Sequence, residues 1–320
     1  TIANEDGTFL LQIPDTLKNP LIQSSFIGYK NQYTPISSRS QDTISINMYK
    51  NIISIQEVII RYEDPVGLLT KAIDKIDENY PDKASGMLVY YREKVSRDDK
   101  CMVFSEAVGE VAKSPYRNSI VSDKSRILKA RKYENIEAED SVLFKLRSGL
   151  TTLLSLDIIK NQPDFLQSDF LFRYNLQFSN VVSFKDKLVY VVSFRQKDAI
   201  NETLFKGELY IDRESLAIVA ANFEFDPGRI RREQDMFVKK KSRHLKVQPQ
   251  MAKYYVEYKN IEGKYYLSVV QGRLKFKIRK RREWFSSKYE INFEMAVTEN
   301  NLKETPRIRI SDQLKPSTII

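Results

Sequence analysis

Alternation of apolar and polar residues dominates the chain from about residue 170 to residue 297. At its centre, residues 205–225 read FKGELYIDRESLAIVAANFEF. Leu209 and Ile211 alternate with Glu208, Tyr210 and Asp212, a polar break follows at Asp212-Arg213-Glu214-Ser215, and the chain then turns apolar again. Period-two runs around a short polar break predict a β-hairpin. Similar runs at 174–178, 188–194, 251–258, 265–270, 273–279 and 289–297 extend it into a large antiparallel meander. The run at 188–194 is apolar enough for a strand buried on both faces.

Upstream the period changes. Asp64-Pro65 supplies an N-cap acid and a first-turn proline. Leu68, Leu69, Ala72, Ile73 and Ile76 recur at helical spacing until Asn79-Tyr80-Pro81, which predicts an amphipathic helix. Residues 146–160 predict a second, with Leu146, Leu150, Leu153, Leu154 and Ile158 as its stripe and Pro163 ending it. Strands are expected at 87–91 and, as a pair, within 100–111, and strand plus loop over 118–140. Before residue 61, short β-favouring runs at 9–13, 21–27, 43–48 and 56–60 suggest a small β-sandwich. The expected class is mostly β, of α+β type: an N-terminal sandwich over 1–61 and an antiparallel, half-barrel-like sheet with two amphipathic helices over 62–320.

Composition changes this picture in two places. Cys101 is the only cysteine, so no internal disulfide forms, and its apolar neighbours Met102, Val103 and Phe104 predict a buried, inert thiol. The net charge of +10 is concentrated: residues 229–283 hold 18 Lys and Arg against 5 Asp and Glu, and the rest of the chain 34 against 37. No apolar run reaches the length of a membrane-spanning helix.

The order NEDGTFLLQIPD, LIQSSFIGYKNQ, DTISINMYK, QEVII resembles the carboxypeptidase regulatory-like domain common in Bacteroidetes envelope proteins. Asp6, Gly7 and Phe9, then Ser25 to Tyr29, then Glu57 to Ile60 carry the match. The resemblance implies a transthyretin-like sandwich, truncated because its opening strands would precede Thr1, and an exported protein, periplasmic or associated with the outer membrane. It implies no peptidase: a zinc carboxypeptidase needs more than one histidine, and His244 is the only one. GELYIDRESLAIV, YKNIEGKYYL and LSLDIIKNQPDFL are similar to the module that follows this domain in a Bacteroidetes family, and the later strands to the half-open barrels of LolA/LppX lipoprotein carriers. That second likeness implies a curved sheet able to shelter an apolar ligand.

The sharpest chemical feature is basic. In residues 273–279, Leu274, Phe276 and Ile278 alternate with Arg273, Lys275, Lys277 and Arg279, and Lys280, Arg281 and Arg282 extend the charge. Alternation puts four cations on one strand face about 7 Å apart, where they repel unless something negative lies opposite. Lys239, Lys240, Lys241 and Arg243 form a second basic run. Two readings stay open: a solvated, edge-protecting face, or a surface for lipid phosphates, lipopolysaccharide or an acidic protein partner. Nucleic acid shares the electrostatics, but no helix-turn-helix or zinc-finger pattern is present.

No cofactor loop, nucleophile elbow or metal cluster is recognisable, and no catalytic residue is assigned. Asp212 and Glu214 read as turn formers rather than a catalytic acid pair. The paired tyrosines at 90–91, 254–255 and 265–266 are expected to place one ring on each sheet face. The expectation is a non-enzymatic envelope binding or scaffolding protein. A hydrolase with residues converging from separate strands, and an accessory part of a TonB-dependent uptake system, are the alternatives.

Overall fold

The computed structural model describes residues 3, 7–9, 11, 13–14, 16–17, 19–36, 43–53, 64–117, 121–135, 144–146, 149–185, 187–233, 237–241, 245–280 and 284–314, with the backbone alone at 52–53, 144–146, 232, 238–241 and 280. The chain opens with β1 (Leu21–Ser24), β2 (Gln32–Pro35) and β3 (Ile52–Ile53), followed by α1 (Pro65–Asp74) and α2 (Ile76–Asn79). Three long strands follow: β4 (Ser85–Arg97), β5 (Lys100–Lys113) and β6 (Lys124–Glu134). After β7 (Phe144–Leu146), α3 (Leu150–Ser155) and α4 (Ile158–Asn161), the meander runs through β8 (Tyr174–Phe184), β9 (Lys187–Gln196), β10 (Phe205–Asp212) and β11 (Ile218–Phe225). It ends in β13 (Leu245–Ile261), β14 (Lys264–Lys280) and β15 (Ser287–Asn301), with the short β12 (Val238–Lys241) set aside against β7.

One eleven-stranded sheet carries the architecture, in the order β3-β8-β9-β10-β11-β13-β14-β15-β4-β5-β6, antiparallel at every pairing. The early meander β4-β5-β6 thus returns beside the last strand. Its inner face is apolar and covered. Phe165, on a 3-10 turn, stacks on Phe194 at 4.4 Å, and Phe205 stacks on Phe225 at 4.0 Å. Phe237 bridges onward to Phe276 at 6.0 Å. Leu150 and Leu153 of α3 are buried on the same side, where Gly109 lets Leu150 approach the sheet.

The central hairpin forms as expected, with Phe205 opposite Phe225. Its turn is built on Asp212, whose Oδ1 accepts from the Glu214 and Ser215 amides at 2.9 Å each. Tyr265 donates its hydroxyl to the other oxygen at 3.1 Å, and Lys187 lies 3.3 Å from it. Burial opposes ionisation of this carboxylate, but the two amides and Lys187 outweigh it and hold its pKa below the ordinary value. Asp212 therefore shapes the turn, and its lone pairs are spent doing so.

Several elements differ from the sequence pattern for identifiable reasons. The expected strands at 265–270 and 273–279 are one strand of 17 residues. Gly272 does not break it: a Cβ there would sit 2.4 Å from the Phe293 ring, so the glycine lets that ring lie across the strand. The pair expected within 100–111 is likewise the single strand β5. The helix expected over 146–160 starts at Leu150 and breaks at Asp157, whose extended backbone and side-chain bonds to the Ile159 and Lys160 amides cap a new turn. Leu146 belongs to β7 instead. The first helix keeps its stripe and its Asp64 cap, with a non-helical residue at Lys75.

In the first 61 residues the described strands are the β1–β2 hairpin and β3, which pairs with the edge strand β8. Residues 43–49 form no strand, although Ile44, Ile46 and Met48 are half-buried and their neighbours exposed. The alternation is real there, but the segment is held by the Tyr29–Lys50 bridge at its end. Leu11 and Ile13 also lie outside strands, while Asp6, Leu10, Gln12, the run 56–60 and His244 fall outside the described residues. Ile27 is buried with the main core, and Phe26 packs 6.3 Å from Tyr255 on the outer face. Cys101 is half-buried rather than buried, its Sγ 3.7 Å from the Val103 carbonyl. Among the described residues no helix is long and apolar enough to cross a membrane.

Candidate anion-binding face

The outer face of the sheet carries the charges that alternation placed there. Leu274, Phe276 and Ile278 are buried, and Arg273, Lys275, Lys277 and Arg279 point the other way. Register then decides what each cation meets. Glu290 on β15 lies opposite Lys275 and takes both neighbours: its Oε1 is 2.6 Å from Arg273 and its Oε2 is 3.2 Å from Lys275. Burial opposes ionisation of Glu290, but the Lys275 hydrogen bond and the Arg273 charge prevail and hold its pKa low. Elsewhere on the face Glu224 is shared by Lys206 and Lys253 at 3.2 and 3.3 Å, Glu294 pairs with Arg92, and Glu110 and Glu106 pair with Arg126 and Arg131. Glu290 and Glu224 are thus each shared by two cations, and Glu294, Glu110 and Glu106 each take one.

The β14–β15 end of the sheet is different. Lys277 stands opposite Lys288, and Arg279 opposite Lys246 of β13. All four are exposed, and no ion pair joins them to a carboxylate among the described residues. Asp98, in the neighbouring β4–β5 turn, receives the Lys288 amide at 2.8 Å and lies 3.8 Å from Arg97. Like charges directly opposite across a strand pair are destabilising, so this corner carries a local electrostatic cost in the unliganded protein. It is also where the two basic runs of the sequence meet. The strand of Lys239, Lys240 and Lys241 ends just before β13, and Leu245 pairs with Lys280. Of these four lysines the backbone alone is described, and Arg243, Arg281 and Arg282 fall outside the described residues.

Between Arg279 and Lys288, the connection exposes two large aromatic side chains. Trp284 is 92% and Phe285 89% accessible. The sequence pattern gave no reason to single them out; the available signal was an aromatic pair following a basic run at a hairpin connection. Paired tyrosines behave as expected, with Tyr91, Tyr254 and Tyr265 buried and Tyr90, Tyr255 and Tyr266 half-exposed.

Two further polar features bear on function. A cleft of about 850 Å³ lies over β8–β11 and β13, lined by Asn175, Gln177, Arg195, Lys206, Glu208 and Glu224 among others. It is polar and lies on the outer face, whereas the inner face, where an apolar ligand would sit, is packed with the aromatic side chains described above. At the opposite end from the basic corner, Lys113 is buried between Asp123 and Asp157, 2.7 Å from each. Burial alone would lower its pKa, but the two carboxylates raise it. Asp157 also accepts from Tyr258 at 2.8 Å and caps α4. Among the described residues no cluster of three His, Cys, Asp or Glu side chains is arranged to hold a metal.

No family model matches the sequence, and no curated protein does. Similar solved structures include a LolA superfamily protein from Nitrosomonas europaea, at 12% identity and a TM-score of 0.30 over 74% of this chain and 94% of that one. A DUF1329 family protein from Desulfovibrio piger is similar at 12% identity and 0.32, over 75% of this chain and 94% of its own. Lipovitellin is similar at 9% identity and 0.32, over 73% of this chain and 27% of its own. Likenesses this low carry no argument about ligand or activity.

Proposed function

We propose that this is a non-enzymatic binding protein of the bacterial cell envelope, and that Lys246, Lys277, Arg279 and Lys288 form its contact with an anionic surface. One observation carries the reading: on a face where Lys206 and Lys253 share Glu224 and Arg273 and Lys275 share Glu290, these four are set against each other in two like-charge pairs. A polyanion relieves that repulsion on binding, so the affinity gains what the free fold lacks. Asp157 and Asp212 are buried and their oxygens accept bonds from the fold, so neither is counted as part of the contact surface. The export and envelope setting rest on the sequence resemblance to the regulatory-like domain.

The test is binding to dextran sulfate over a range of salt. Wild-type affinity falls steeply as salt rises. Neutralising Lys277 and Arg279 together to Gln removes about 2 kcal/mol, roughly 30-fold, at about 1 kcal/mol per cation near an anionic surface. Lys275→Gln changes binding little, because Glu290 already holds that charge. Equal losses from Lys275→Gln and from the double variant would refute the assignment.

A further inference from the structure

We propose that Trp284 and Phe285, just before β15, form a membrane-docking tip: they enter the headgroup region of an anionic lipid bilayer while Lys246, Lys277, Arg279 and Lys288 hold its phosphates. The inference rests on the anionic-surface reading above and names the surface. The last positions paired between β14 and β15 are Ile278 and Ser287, and Trp284 and Phe285 lie beyond them, outside either strand. In a chain that buries Phe165, Phe194, Phe223, Phe225 and Phe276, two adjacent aromatic side chains at 92% and 89% exposure stand apart. Each ring exposes on the order of 150–250 Å² of side-chain surface, and neither packs against the fold.

Charge and shape together select the occupant. In sequence the rings follow Arg279-Lys280-Arg281-Arg282-Glu283 and precede Lys288, and Lys246 and Lys277 stand opposite Arg279 and Lys288 across the strands. A soluble polyanion satisfies the cations but leaves the rings in water. A protein partner would need a pocket to receive two fully exposed rings. A bilayer surface supplies both requirements without a preformed pocket: phosphates at the level of the ammonium and guanidinium groups, and just beneath them the interfacial layer that Trp favours. Long Lys and Arg stems reach back to that phosphate level as the rings descend.

Trp284 is the only tryptophan in the chain, so the unmodified protein carries its own reporter. Vesicles of phosphatidylcholine containing phosphatidylglycerol are expected to shift its emission to the blue and shield it from acrylamide, and pure phosphatidylcholine vesicles to do so far less. The double substitution W284S/F285S, at side chains that pack against nothing, is expected to weaken vesicle flotation on the order of 100-fold and leave dextran sulfate binding unchanged. Flotation without an emission shift, or unaffected by the double substitution, overturns insertion and leaves the anionic-surface reading intact. Dextran sulfate binding with no vesicle binding overturns the bilayer as occupant and directs the cations to an acidic protein. Binding to neither overturns both readings.

Discussion

Arg273 and Lys275 occupy the same face of β14 as Lys277 and Arg279, in the same alternation and over the same buried side chains, yet the two pairs live in opposite electrostatic surroundings. The first pair meets Glu290, and the second meets Lys288 and Lys246. The difference lies in the neighbouring strands. Positive charge in a sequence therefore divides into cations that hold a sheet together and cations left for something outside it. Lys113 marks the far end of the first kind, buried and clasped by two carboxylates.

The largest effect separates that extreme from the basic corner. Replacing Lys113 with Met leaves Asp123 and Asp157 buried side by side without the cation that bonds them both, and removing one partner of a buried ionic cluster costs about 3–5 kcal/mol. Equilibrium urea unfolding should show the midpoint collapse with little change in slope. The same change at Lys277 removes one member of a like-charge pair, so stability should stay at the wild-type value or rise by up to about 1 kcal/mol. Similar losses at the two sites would erase the distinction between matched and unmatched cations.

A middle-sized effect comes from converting the matched half of β14 into a copy of the unmatched half. Glu290→Gln removes the carboxylate that Arg273 and Lys275 share. Because the trio is half-buried and reaches solvent, the cost at neutral pH is about 1 kcal/mol. The sign with pH follows from the direction of the shift. Glu290 is held below its ordinary pKa in the folded state, so its stabilisation is present above the unfolded value, about 4.3, and is lost as pH falls through the folded value. The gap between wild type and variant should close on acidification. Glu294, on the same strand, is shifted the other way, because burial outweighs Arg92 and Gln271; its effect is present in acid and is lost as pH rises through its raised value. A gap that widens in acid for Glu290→Gln would show that the shared pair is not what holds this carboxylate.

How far the sequence reveals this arrangement depends on how local each feature is. The inward turn of Leu274, Phe276 and Ile278, the Asp64 helix start and the Asp212 turn are set within a few residues and are readable from the pattern. Which group faces Lys277 or Arg279 is a matter of strand register, and Lys246 is remote in sequence from Arg279. The Lys113–Asp157 contact joins residues 44 positions apart and leaves no trace in spacing. Residues 43–48 fail for the converse reason: they alternate as a strand does, but among the described residues no neighbouring edge hydrogen-bonds along them. Trp284 and Phe285 look like core aromatics by type, and only their position beyond the last paired residues exposes them.

The smallest effect is the most specific, because it runs against the usual direction of mutation. Lys288→Gln removes one member of a directly opposed like-charge pair, and such opposition is worth about 0.2–1 kcal/mol. The variant is therefore expected to be more stable than wild type by that amount, read as a rise in the urea midpoint at unchanged slope. Salt screens exposed charges beyond about 10 Å at 0.1 M and about 3 Å at 1 M, so the gain should shrink as salt is raised. The same variant should bind dextran sulfate more weakly, since one contact cation is gone. Stability up and affinity down in one substitution is the signature of a charge retained for a partner at the expense of the free fold. A solvated face with no partner predicts the stability gain without the loss of binding, and a Lys288 paired in solution to an acid predicts a stability loss.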